Sequence, residues 1–218
     1  MTANIVYLHG FASSPKSKKA QYFKQRFETH DVNVYIPDLN VPSFERLTLT
    51  DMLETVAGVV RMCPPGPVYM VGSSLGGLTA LHFINQYKDA EAKRVELLFL
   101  LAPALDFIAN RRQTMGESSL EEWQKTGWWH THHYATDSQA RVHYALVDDI
   151  ARYDSFSAHL IIPTIIYHGE NDDTVPPEQS VRFAEPRNNV TLKLVDSDHK
   201  LHDQAPAIFD HMVKFFAL

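Results

Sequence analysis

Short apolar runs recur along this chain, most of them followed by a stretch with helical spacing. That alternation restricts the fold more than any other feature. The runs fall at residues 5–8, 32–36, 68–71, 95–101, 161–167 and 190–195. Most are apolar throughout rather than alternating, which is the pattern of strands covered on both faces. Between and after them, apolar residues at helical spacing predict helices over 17–30, 49–62, 75–87, 177–184 and 203–216. Pro206 is tolerated in the first turn of the last one. Strand–helix repetition predicts parallel βαβ units with right-handed crossovers. The expected class is therefore α/β: a doubly wound, mostly parallel sheet of about six strands, with ligands bound beyond the C-terminal ends of the strands.

The rhythm breaks once. Between Ala102 and Ala158 no apolar run reads as a strand, and this stretch holds Trp123, Trp128 and Trp129 together with His130, His132 and His133. It is read as a helical cap insertion of about residues 103–158 over the strand ends. Without internal repeat or linker, it stays inside one domain spanning 1–218, a size usual for a single α/β unit. A net charge of −6 gives no basic surface for nucleic acid. The longest apolar stretch, 97–105, is interrupted by Pro103 and is too short to span a bilayer. The first residues enter a strand without a leader pattern, and the single cysteine, Cys63, excludes an internal disulfide. Cytoplasm is the expected compartment. The sequence carries no signal for oligomeric state.

The strand ends hold the chemistry. Gly72-Ser73-Ser74-Leu75-Gly76 matches G-x-S-x-G, with a strand before it and a helix after it. Of the two serines only Ser74 has glycine two positions away on both sides, so Ser74 is the candidate nucleophile and Ser73 a small spacer. A serine hydroxyl needs a base, and the base needs an orienting acid. The run 161–167 leads into His168-Gly169-Glu170-Asn171-Asp172-Asp173-Thr174-Val175-Pro176, which offers acids. The run 190–195 leads into Asp196-Ser197-Asp198-His199-Lys200-Leu201-His202, which offers histidines. The chain order Ser, Asp, His is that of hydrolase triads on such sheets. An oxyanion hole requires backbone N–H groups aimed at the developing charge. The candidates are Leu75, just after the nucleophile, and Phe11 in the turn His9-Gly10-Phe11.

With these pieces in order, the chain resembles the α/β-hydrolase superfamily. YLHGFASSPKSKKA together with VGSSLGG is similar to the small bacterial YqiA-like esterases, which share an LHGF-x-SSP-x-S-x-KA opening. The second half, IPTIIYHGENDDTVPPEQS and DSDHKLH, resembles the serine-aminopeptidase and monoacylglycerol-lipase type. The resemblance implies Asp172 as the acid, because Asp172 through Pro176 fits D-x-x-V-P. It implies His199 as the base, because His199-Lys200-Leu201 fits H-x-L. Asp173 and His202 are the neighbours set aside. The implied activity is a serine esterase with a small-molecule ester or acyl substrate and no cofactor. Thioester, amide and C–C cleavage use similar residues, and a catalytically silent ligand-binding relative is the reading from another class.

Three further features have plainer readings. The three clustered histidines lack a second ligand group at metal-binding spacing, so an ordinary polar–aromatic segment is expected and no metal site. Lys16, Lys18, Lys19, Lys24 and Arg26 read as the solvated face of the first helix. Trp128 and Trp129 line an acyl pocket or pack the insertion onto the sheet.

Overall fold

A computed structural model describes residues 2–133 and 137–218. In chain order the elements are β1 (Ala3–Leu8), α1 (Lys18–Phe27), β2 (Val32–Tyr35), α2 (Leu49–Met62), β3 (Val68–Ser73), α3 (Leu75–Gln86) and β4 (Val95–Leu101). An insertion follows, made of α4 (Phe107–Met115), α5 (Glu117–Thr126), β5 (Trp128–His133), β6 (Ser138–His143) and α6 (Ala145–Ile150). The chain closes with β7 (Thr164–Gly169), α7 (Pro177–Ala184), β8 (Val190–Val195) and α8 (Ala205–Phe216).

Six strands form one parallel sheet in the order β2-β1-β3-β4-β7-β8. Every residue of β1 is buried, and side-chain alternation sends its two halves to different cores. Val6 and Leu8 join α2, α3 and the insertion on one face; Ile5 and Tyr7 join α1 and α8 on the other. This is why the central strands read as unbroken apolar runs: neither face meets water. The edge strands β2 and β8 are only partly buried. No helix among the described residues is long and apolar enough to cross a membrane.

Helix starts follow local chemistry. Ser17 caps α1 by accepting from the Ala20 N–H, and Thr48 caps α2 by accepting from the Asp51 N–H. Two of the boundaries that differ from the sequence expectation have a plain cause. β7 begins at Thr164 rather than 161, because Ile161 is exposed and Pro163 has no N–H to give to the ladder. α8 begins at Ala205 rather than 203, after a turn in which the Ala205 N–H reaches the His202 carbonyl.

The insertion corrects a larger expectation. It is not wholly helical. Besides three helices it contains the antiparallel hairpin β5–β6, in register from Trp128↔His143 to His133↔Ser138. β5 presents no aliphatic run because its period-2 pattern is built from aromatic and imidazole rings. Trp129 and His133 turn toward the body, and Trp128 and His130 turn away. Trp129 stacks on Phe11, with ring centroids 5.8 Å apart, and His133 is buried edge-on against Phe44. The same alternation keeps His130, His132 and His133 from converging, and no metal-ligand cluster lies among the described residues.

Candidate active site

Ser74 stands between β3 and α3 with φ 54° and ψ −117°, a backbone state that costs free energy for any residue with a Cβ. Its surroundings hold it there. The Ser74 N–H donates to Leu101 O at 2.9 Å, and its carbonyl accepts from Gly77, Leu78 and Ala104 N–H groups. Gly76 is required by close approach, since a Cβ there would collide with the carbonyls of Leu8 and His9. Ser74 is half-buried and its hydroxyl faces the ends of the strands.

His199 and Asp172 arrive from the last two strand ends of the sheet. His199 Nε2 lies 3.1 Å from Ser74 Oγ, and His199 Nδ1 lies 2.6 Å from Asp172 Oδ2. The Nδ1–H therefore donates to the carboxylate, leaving Nε2 to accept from the serine hydroxyl. Asp172 Oδ1 accepts from the N–H groups of Thr174 and Val175, at 2.9 and 2.8 Å. Burial alone would push the Asp172 carboxyl up. The hydrogen bonds from His168 and His199 and the charge of His199 outweigh it and hold the group well below the usual carboxylate range.

The rivals lie off this chain of contacts. Asp173 accepts from the Thr174 hydroxyl at the surface, and His202 is exposed in the turn before α8. Asp198 accepts from the N–H groups of Lys200 and Leu201 and so shapes the loop that carries His199. Ser73 faces the other side of the sheet, where it accepts from Lys19 Nζ at 3.1 Å and meets the buried Tyr7 phenol. Lys19 thus turns inward, whereas the sequence placed it on a solvated face. Burial pushes its ammonium down to about 8, against the pull of Asp198 and Asp172.

The turn after β1 comes close to the serine. A Cβ on Gly10 would sit 3.2 Å from Ser74 Cβ and 3.8 Å from Ser74 Oγ. Buried His9 anchors this turn, accepting the Leu39 N–H at Nε2 and donating from Nδ1 to Gly10 O, each at 3.0 Å. Among the described residues, neither the Phe11 N–H nor the Leu75 N–H donates to a protein acceptor. The Phe11 ring packs against Phe44, Phe107 and Trp129, tying the turn to the insertion.

Two cavities lie outside the triad. One of about 340 Å³ opens beside α5 and β5, lined by Met115, Glu122, Trp123, Trp128 and Trp129. Another of about 230 Å³ runs from Leu78, one turn after Ser74, to Ile150, Tyr153 and Phe156. Sequence reasoning missed His168, Lys19 and His9 as neighbours of the site.

Solved structures share this architecture. Alpha/beta hydrolase domain-containing protein 10 from mouse superimposes with a TM-score of 0.79 at 19% identity, over 98% of this chain and 89% of that one. Est1E from Butyrivibrio proteoclasticus gives 0.76 at 19% identity, over 100% and 89%. In sequence, the chain is 23% identical over 169 residues to the Bos taurus protein named "Palmitoyl-protein thioesterase ABHD10, mitochondrial", covering 75% of this chain and 54% of that protein. It is 24% identical over 167 residues to the Homo sapiens protein of the same name, covering 74% and 53%. The chain thus spans about half the length of these curated relatives. The fold is that of the α/β-hydrolase superfamily, and, because the model of the family described as "Uncharacterised protein family (UPF0227)" matches residues 4–217, the chain belongs to that family.

Proposed function

We propose that this chain is a serine hydrolase that cleaves carboxylic esters through an acyl-enzyme. The observation that carries the reading is the unbroken hydrogen-bonded chain from Ser74 through His199 to Asp172, built from three separate strand ends. His199 Nε2 takes the hydroxyl proton as Ser74 Oγ attacks the carbonyl carbon. Asp172, already ionised and buried, stabilises the imidazolium through Nδ1–H. The developing oxyanion lies where the N–H groups of Phe11 and Leu75 are unclaimed by the protein. His199 then protonates the leaving alcohol, and water repeats the sequence to release the acid. The intact set of three groups disfavours a silent, ligand-binding role.

Turnover of p-nitrophenyl acetate and butyrate, together with fluorophosphonate labelling, tests this. Ser74→Ala abolishes labelling and lowers kcat by on the order of 10⁴-fold or more with the fold retained, whereas Ser73→Ala retains substantial activity. Full labelling of Ser74→Ala would sink the proposal. A thioester substrate on the same triad is the second reading, favoured by the thioesterase name of the relatives. Faster turnover of palmitoyl thioesters than of nitrophenyl esters selects it. The proposed compartment is the cytoplasm, where the buried, unpaired Cys63 stays reduced.

A further inference from the structure

Asp172 carries a second histidine. His168 Nε2 lies 3.1 Å from Asp172 Oδ2, the same oxygen that receives His199, and 2.9 Å from Val175 O. Its Nδ1 lies 2.7 Å from the hydroxyl of Ser180 on α7. His168 and Ser180 are fully buried. Nε2 faces two acceptors, so it bears the hydrogen, and Nδ1 accepts from the Ser180 hydroxyl. Asp172 is therefore saturated, with two backbone N–H groups on Oδ1 and two imidazole N–H groups on Oδ2.

We propose that His168 is a positioning residue that acts through Asp172: it fixes the carboxylate in the orientation His199 needs and, by sharing Oδ2, limits how strongly that oxygen accepts from His199. The role of His199 as base rests on the function proposed above. No proton passes to His168 in the reaction. Its Nε2–H stays in place while the serine proton moves to His199 Nε2 and on to the leaving group. A donor on Oδ2 weakens that oxygen as an acceptor for the imidazolium. The other charges that bear on the pair are Lys19 on α1, which acts on Asp172, and Asp198 on the loop of His199, which acts on Lys19. None of them changes in the variants below.

His168→Leu removes the donor and His168→Gln replaces it with an amide N–H at similar reach. In His168→Leu, kcat falls on the order of tenfold through misorientation of the base, while KM stays within about twofold. The acidic limb of kcat/KM moves up by about half a pH unit. His168→Gln restores both toward wild type. Ser180→Ala, which frees Nδ1 and loosens the tautomer, gives a smaller shift in the same direction and carries the test if His168→Leu does not fold. A readout independent of turnover is the low-field NMR signal of the His199 Nδ1–H, identified by its loss in His199→Ala. It moves in His168→Leu and returns in His168→Gln. Should the protein turn over no ester, this signal still tests the contact, so the two readings fail separately. An unmoved acidic limb and unmoved proton signal, with only a lower melting temperature, would overturn the role of His168.

Discussion

Ser74 was legible in the sequence because everything that marks it is local: a strand, two glycines at fixed offsets and a helix. Asp172 and His199 were legible through the resemblance of their loops to family motifs, with Asp173 and His202 as rivals, and the geometry brings together the pair that the resemblance implied. His168 and Lys19 were not legible. His168 reads as the end of an apolar strand, and its partner Ser180 sits twelve residues away on another element. Lys19 reads as part of a basic face, since helical spacing does not reveal that a long side chain bends inward to Ser73. Its burial makes a linkage prediction. The folded state releases the Lys19 proton near pH 8, the unfolded chain near 10.5. Between these values the unfolded state binds more protons, so wild-type stability gains with rising pH. Measured by urea unfolding, wild type gains about 1 kcal/mol on Lys19→Met between pH 8 and 10.5, a figure reduced for the partial exposure of the residue. A difference that stays flat across that window refutes the inward placement of the charge.

Elements were legible where burial is simple. The central strands are covered on both faces, so hydrophobicity alone marks them. The hairpin β5–β6 is covered on one face only, and its inward positions 129 and 133 hold an indole and an imidazole beside the single buried Val142, so it presents no aliphatic run. Its two tryptophans separate cleanly. Trp129 stacks on Phe11, whose N–H is a candidate oxyanion donor, and tilts against Trp123. Trp128 lies on the other face, under the guanidinium of Arg141 at 4.2 Å and edge-on to His143. The expected consequence is a division of labour within one strand. Trp129→Ala lowers kcat/KM on the order of tenfold by loosening the Phe11 turn and alters acyl-chain preference. Trp128→Ala leaves both within about twofold. A series of nitrophenyl esters from acetate to octanoate, read beside melting temperatures, checks this. Equal profiles for the two variants would show that the hairpin only packs.

At the scale of the whole molecule, class, sheet and position of the site followed from the alternation of apolar runs, because a doubly wound sheet leaves few ways to bury them. The strand order β2-β1-β3-β4-β7-β8 has a consequence in time rather than in space. Pairing β4 with β7 closes a segment of about 60 residues, 102–163, at an entropic cost of about 4 kcal/mol before any contact across it is gained. Ser74, the proposed nucleophile, and both candidate oxyanion donors precede that segment; Asp172 and His199, the proposed acid and base, follow it. A chain in which the first four strands have assembled thus holds Ser74 strained but without His199 and Asp172, and the proposed reactivity arrives with the last pairing. In refolding from urea, fluorophosphonate labelling of Ser74 emerges with the slowest phase, after most of the far-ultraviolet signal has returned. Labelling in the fastest phase would contradict this order. On the proposed function, the long closure acts as a delay: the growing or refolding chain cannot attack acyl groups around it until its own folding is nearly finished.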